Sequence, residues 1–336
     1  MRWIKIALTA LAIAAAALAG GWAYWQHQLD APIALSEPTV FEIAPGTGAA
    51  TVLNRLESRQ IIDAGWPYKV LGVVEPQQLR GLRAGEFQLT PEMNARELIE
   101  KLSSNDVITY RLTVPEGRTF AQMREIVARA ELVHETTDMS DEEIMAALGR
   151  SGEAPEGRFF PDTYIWTRGV SDLEIYARAL ERMSHHLDEV WAARQSDLPI
   201  DSPYEALILA SLIERETGAP EERTRIAGVF KRRLETGMRL QTDPTVIYGL
   251  GEAYDGSLSR RDLTTPTPWN TYVISGLPPT PIAMPGLASL EAAVNPAPGD
   301  ALYFVSRGDG RHKFSATLEE HNAAVRRYIL GQEPSP

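Results

Sequence analysis

Apolar positions follow three different rhythms along this chain. From Ile6 to Trp25 no charged residue occurs, and a run of that length can cross the hydrocarbon of a bilayer as a helix. Residues 26–38 turn polar, with Pro32 and Pro38 as punctuation, and read as a tether. Thr39 to Ile43 alternates with the two-residue period of a strand, and Gly46-Thr47-Gly48 makes a turn. Ala50 to Ser58 then sets Val52, Leu53 and Leu56 on one helical face. A further helical stretch at Tyr68 to Val74 and a turn into a strand over Leu82 to Leu89 complete a β-α-α-β unit. It is followed by a helix at Ala95 to Leu102 and by alternation from Val107 to Val114. A domain over 39–113 thus gives way to a second, 114–332.

The second domain is mainly helical, with apolar periodicity at Phe120 to Ala130, Asp141 to Leu148 and Asp172 to Arg194. Ser202-Pro203-Tyr204-Glu205 joins a capping box to a proline at the first helical position. It predicts a helix over Pro203 to Thr217, which Gly218 and Pro220 stop. Another runs from Glu221 to Thr236, with Gly237 at its C-terminus. After Met238 the chain is rich in Pro, Gly, Thr, Asn and Tyr, and only a strand over Ala301 to Val305 and a helix over Leu318 to Leu330 stand out. A long irregular stretch after ordered helices is the usual material of a binding cleft. The fold class is therefore α+β: a transmembrane helix at 6–25, the small β-α-α-β subdomain, then a helical domain with a cleft-forming irregular region.

Arg2 and Lys5 precede the apolar run, which puts residues 1–5 in the cytoplasm and the bulk of the chain outside it. Ala17-Leu18-Ala19 also satisfies the small-x-small pattern of a cleaved signal peptide. The anchor is the better reading, because the apolar run continues past that point and ends on Trp22, Tyr24 and Trp25, as an interfacial aromatic belt would. Either way the remainder is exported.

With 336 residues, 44% of them apolar, the chain can bury a substantial core. A net charge of −12, with no basic face, argues against a nucleic-acid partner; Lys231-Arg232-Arg233 reads as a solvated helix face. There is no cysteine, which removes disulfides, thiolate metal sites and a Cys nucleophile. His185 and His186 are adjacent and no H-E-x-x-H, G-x-S-x-G or P-loop pattern occurs. No metal and no cofactor is expected.

Glu214 and Glu216 end a helix whose run Ala206 to Ile213 is too apolar for a surface. Two residues apart, they point about 200° from one another and cannot share a pocket. Glu214 follows the small Ala210 and Ser211, which leave room for a ligand, whereas Glu216 stacks over Leu212 and is expected to serve local ion pairing. A carboxyl at the mouth of an apolar helix suits a general acid; a helix-terminal Glu paired with Arg215 or Arg223 explains the same spacing. Asp243 reads as an Asx-turn residue before Pro244, or as a group that orients a sugar hydroxyl. Trp269-Asn270-Thr271-Tyr272 and Gly276-Leu277-Pro278-Pro279 offer the aromatic, amide and hydroxyl mix that suits carbohydrate.

Ala210 to Thr217, then Gly237-Met238-Arg239-Leu240-Gln241-Thr242-Asp243-Pro244-Thr245-Val246-Ile247-Tyr248-Gly249, resemble the YceG-like endolytic murein transglycosylases, the MltG family. So do Leu258-Ser259-Arg260, Tyr272, Gly276 to Pro279, Pro285-Gly286 and, upstream, Glu156 to Tyr164. The loop Thr280 to Pro285 departs from the family's Gly- and Asn-rich version. The resemblance implies that Glu214 is the catalytic residue, that Gln241, Asp243, Tyr248, Asn270 and Tyr272 contact substrate, and that 39–113 is LysM-like. It implies an inner-membrane, single-pass lyase with a periplasmic catalytic domain. That enzyme would cleave the MurNAc-GlcNAc bond of nascent strands to leave 1,6-anhydro-MurNAc ends and so terminate elongation, with penicillin-binding synthases as partners. The alternatives are a lysozyme-like hydrolase using Glu214 and Asp243, and a noncatalytic membrane-tethered scaffold that binds peptidoglycan.

Overall fold

Helix α1 (Arg2–Asp30) does not stop where the apolar run does. In this computed structural model, which describes residues 2–332, the helix carries through Trp25 and Leu29, and both side chains are buried in the core of a first compact unit. That unit comprises 1–110 and 165–168; Met1, the first of the expected cytoplasmic residues 1–5, lies outside the described residues. Residues 26–38 are therefore not a free tether. Their helix runs to Asp30, Ile33 is buried, and Ile33 and Ala34 donate backbone hydrogen bonds to Met93 and Ile61. The polar pattern that suggested a linker belongs to residues that satisfy their backbone groups within a fold. Trp25, expected in an aromatic belt, instead donates its Nε1 hydrogen to Pro67 O at 2.9 Å inside the core.

The first unit continues through β1 (Thr39–Ile43), α2 (Ala49–Ser58), α3 (Trp66–Val74), α4 (Pro76–Arg80), β2 (Gly85–Leu89) and α5 (Ala95–Ser103). β1 and β2 pair antiparallel, Phe41 opposite Phe87, so the pleat turns both rings to the same face, where they are buried. α5 opens with a reciprocal capping box between Asn94 and Glu97 and buries Leu98, Ile99 and Leu102 beside the ladder. Compared with the expected β-α-α-β order, the connection holds a third short helix, α4.

The second unit, 111–164 and 169–336, holds the larger core. β3 (Tyr110–Thr113) pairs with β4 (Thr163–Trp166), a partner the sequence pattern did not announce. α6 (Phe120–Ala128), α7 (Asp141–Ala147) and α8 (Asp172–Ala192) start at Thr119, Ser140 and Ser171, each accepting a hydrogen bond from the backbone of the third residue into its helix. α9 (Pro203–Glu216) is capped by Ser202 and buries every residue from Ala206 to Ile213; Glu205 closes back on Asp201 N rather than completing the box. α10 (Arg223–Glu235) follows a short 3-10 turn. Arg233, expected on a solvated face, is buried and donates to the carbonyls of Leu302 and Leu240.

The stretch after Met238 is more ordered than its composition implies. It contains α11 (Asp243–Leu250), α12 (Arg260–Thr264) and α13 (Leu287–Val294), then a hairpin of β5 (Tyr303–Ser306) with β6 (His312–Ser315) and a last helix, α14 (Leu318–Tyr328). Asp243-Pro244 opens a helix instead of a turn, because a proline in the first turn carries no N–H where a helix has no acceptor for one. α13 was invisible because Leu-Ala-Ser-Leu-Glu-Ala-Ala-Val is apolar nearly all round and shows no amphipathic face. It packs against α9 in the centre of the core.

Candidate active site

Glu214 sits in the last turn of α9, and its side chain is only 8% exposed. Its Oε2 accepts hydrogen bonds from Gly286 N at 3.2 Å and Ser289 Oγ at 2.6 Å. Gly286 caps α13 and Ser289 lies in its first turn, so the carboxyl meets the positive end of a helix as well as two donors. Oε1 has no such donor among the described residues and lies 3.9 Å from Nη2 of Arg223. Arg223 is itself largely buried, and its Nε has no hydrogen-bond partner among the described residues.

A loop 98 residues upstream of Arg215 packs against the same helix end. Gly117 N donates to Met284 O, Met284 N donates to Arg118 O, and Arg215 Nη1 donates to Gly117 O at 3.1 Å. Ser211, buried on α9, receives Ile282 N on its hydroxyl at 3.0 Å and holds the same 282–284 segment from below. Gly117 has a positive φ of 73° and lies close to the Glu214 and Arg215 side chains. This arrangement brings in Glu116, whose carboxyl packs so closely on Gly286 that a Cβ there would lie 1.8 Å from Glu116 Oε1. Burial, then the charge of Glu214, holds the Glu116 carboxyl above the usual range, against a smaller opposing pull from Arg223.

Glu216 faces elsewhere, as its spacing requires, but it is not a peripheral ion-pairing residue. Thr242 Oγ1 donates to its Oε1, and burial pushes its carboxyl up to about 7. Asp243, the first residue of α11, lies close enough for its charge to act on Glu216 and accepts from Tyr272 Oη at 2.6 Å. Gln241 is exposed, in the left-handed region at φ 48°, with its N–H on Thr271 O. Asp243 thus bonds Tyr272 and acts on Glu216, whereas the carboxyl that feels the charge of Glu214 is that of Glu116.

The remaining expected substrate contacts divide. Asn270 is 1% exposed and is committed internally: Nδ2 donates to the carbonyls of Asp262, Leu263 and Thr265, and Oδ1 accepts from Tyr272 N. It shapes the loop that carries Tyr272 and is not a rim group. Tyr248 stands edge-on to Trp269 and donates to Glu156 Oε2 at 3.1 Å. Glu156 also accepts from Phe120 N, and burial raises it to about 7. Among the described residues no group of three or more His, Asp or Glu is placed to hold a metal ion.

Of these groups Glu214 was singled out by its helix and assigned through the family resemblance, and Arg223 was named only as its alternative ion-pair partner. Glu116 and Ser289 were not, since the first is remote in sequence and the second lies on the unrecognised helix.

The YceG-like family profile matches residues 41–327. An endolytic murein transglycosylase of Bacillus subtilis is 30% identical over 337 aligned residues, 93% of this chain and 91% of that protein. One from Streptococcus pneumoniae is 24% identical, and this chain spans 63% of its length. The crystal structure of a YceG-like protein from Listeria monocytogenes superimposes with a TM-score of 0.54 at 30% identity, covering 85% of this chain and 98% of that one. The chain belongs to the YceG-like family.

Proposed function

We propose that the chain is an endolytic peptidoglycan transglycosylase, a carbon-oxygen lyase that cuts the MurNAc-GlcNAc bond within glycan strands. The observation that carries this reading is Glu214, sheltered at the end of a core helix with Oε2 held by Gly286 and Ser289 in a chain of this family. With Oε2 committed, Oε1 is the oxygen left to exchange a proton with substrate. Glu214 protonates the glycosidic oxygen as the C1–O4 bond breaks, and the resulting carboxylate takes the proton of the muramoyl 6-hydroxyl as O6 closes on C1. No water is consumed, and the new end is 1,6-anhydro-MurNAc. An internal nucleophile held near C1 replaces the water or covalent partner that hydrolysis needs.

Gln241, Asp243 and Tyr272 position the strand, with Tyr248 and Asn270 supporting the walls they belong to. Glu116 adds a second carboxyl at Glu214, and a pair of carboxyls is also what a lysozyme-like hydrolase would use. Digestion of uncrosslinked glycan strands followed by mass spectrometry separates the two, since anhydro ends are lighter than hydrolysed ends by one water. Anhydro ends are expected. Hydrolysed ends would transfer the assignment to the Glu214–Glu116 pair, and binding without turnover would favour the scaffold.

The β1 to α5 unit is LysM-like in this reading. α1, the one described helix long and apolar enough to cross a membrane, anchors the chain in the inner membrane with residues 1–5 cytoplasmic and 114–332 periplasmic. Cutting nascent strands there terminates their elongation and sets the enzyme beside the penicillin-binding synthases.

A further inference from the structure

Helix α3 presents an apolar stripe that its own unit leaves largely exposed. Trp66, Val70, Val73 and Val74 are all exposed, Val73 at 83%. At 100° per residue these positions fall within an arc of about 100°. The opposite side, with Pro67, Tyr68 and Leu71, is buried in the core. The stripe begins where the apolar run of α1 ends: Trp66 stacks on Tyr24 with ring centroids 6.0 Å apart, and Trp25 donates to Pro67 O. Trp22, exposed, packs edge-on against Trp25 at 4.8 Å.

Three observations select the occupant. The apolar residues Ile6 to Trp25, at 1.5 Å each, measure about 30 Å, the thickness of bilayer hydrocarbon, so Tyr24 and Trp25 stand at its edge. The helix passes without a break into the core of the first unit, so no flexible segment lifts that unit away. The stripe combines an indole with three valines and one flanking cation, Lys69, the composition of an element lying in the headgroup and acyl boundary.

Resting on the reading of α1 as a membrane anchor, we propose that the exposed face of α3 is a membrane-contact surface that lies in the interfacial layer of the outer leaflet, so that the first unit is seated on the bilayer beside its own anchor. The seat fixes the height and tilt of the first unit above the membrane. It also accounts for an apolar stripe that in water would be an aggregation liability.

The chain has no cysteine, so single thiols report cleanly. Val73→Cys and, separately, Leu11→Cys in the full-length chain are labelled with an environment-sensitive fluorophore. Each is reconstituted into phosphatidylethanolamine and phosphatidylglycerol vesicles with or without lipids carrying a nitroxide near the headgroup or deep in the acyl chain. The Val73 label is expected to shift to the blue and to lose at least about twofold in intensity to the shallow quencher, with little loss to the deep one. The Leu11 label is expected to be quenched most by the deep one. If Leu11 is quenched and Val73 stays as bright and as red as in water, the seat is overturned and the anchor stands; the stripe then awaits a protein. If neither is quenched, the anchor itself is wrong and the seat falls with it.

Discussion

At the scale of single residues the site turns on which carboxyl does what. Glu214→Gln keeps the shape of the side chain and both donors to Oε2, but it cannot deliver a proton, so turnover should fall by at least about 10²–10⁴-fold with saccharide binding retained. Equal turnover in the variant and the parent would end the assignment. Glu116 is a different kind of residue: held above the usual carboxyl range by burial and by Glu214, it makes the pocket's charge depend on pH. Glu116→Gln should move the pH dependence of turnover and not merely lower its maximum; an unchanged profile would reduce Glu116 to packing. Glu216 gives a stability prediction. Its carboxyl is raised from 4.5 to about 7 in the fold, so between those values the folded state keeps a proton that the unfolded chain has lost. Stability from this group is fully present below about 4.5 and is lost as pH rises through about 7, on the order of 3 kcal/mol in all. Glu216→Gln can still accept from Thr242, so its urea midpoint should exceed that of the parent at pH 8 and converge with it at pH 4.5. A variant less stable at pH 8 would show that the charge is stabilised where it lies.

Among the elements, α13 and its glycine cap decide how Glu214 is held. Gly286 has φ −77°, which any residue adopts, so only space requires glycine there, and the space is taken by Glu116. Gly286→Ala should therefore leave thermal melting within a few degrees, since the displaced atom is the end of a flexible side chain, yet cut turnover at least about tenfold by pushing a carboxyl into the position of Glu214's partners. Removing the obstruction with Glu116→Ala in the same chain should return the Gly286 N–H to Glu214 and recover part of the loss; no recovery would show that the added methyl acts elsewhere. Helices with a capping residue and an amphipathic stripe, such as α6, α7 and α8, could be read from sequence because local chemistry and packing agree. α13 could not, since a helix with apolar residues nearly all round lacks the polar face that gives periodicity its contrast, and with it went Ser289. The role of residues 115–118 is not legible locally, because only their backbone pairing with Met284 reveals what they hold.

The whole molecule differs most from its sequence pattern at the junction of α1 and the rest of the first unit. A charge-free run followed by a proline-punctuated polar stretch suggests a helix and a loose string, but Trp25 and Leu29 serve both as the end of α1 and as core residues of the first unit, at 3% and 0% exposure. Only the three-dimensional contact shows this, because Trp25 reaches Pro67 across 42 positions. A soluble version of the protein should therefore not begin after the helix. Burying each of these side chains is worth about 1.5–3 kcal/mol, and the hydrogen bond from Trp25 adds about 1 kcal/mol. A chain starting at Asp30 should thus lose on the order of 4–7 kcal/mol in the first unit relative to one starting at Trp22. A domain of that size has a total of about 5–15 kcal/mol to lose. Proteolysis with urea titration of the two truncated chains measures it: the shorter should expose the first unit to cleavage at much lower urea, while the second unit resists equally in both. Equal resistance of the first unit would mean that α1 lies against it without supporting it.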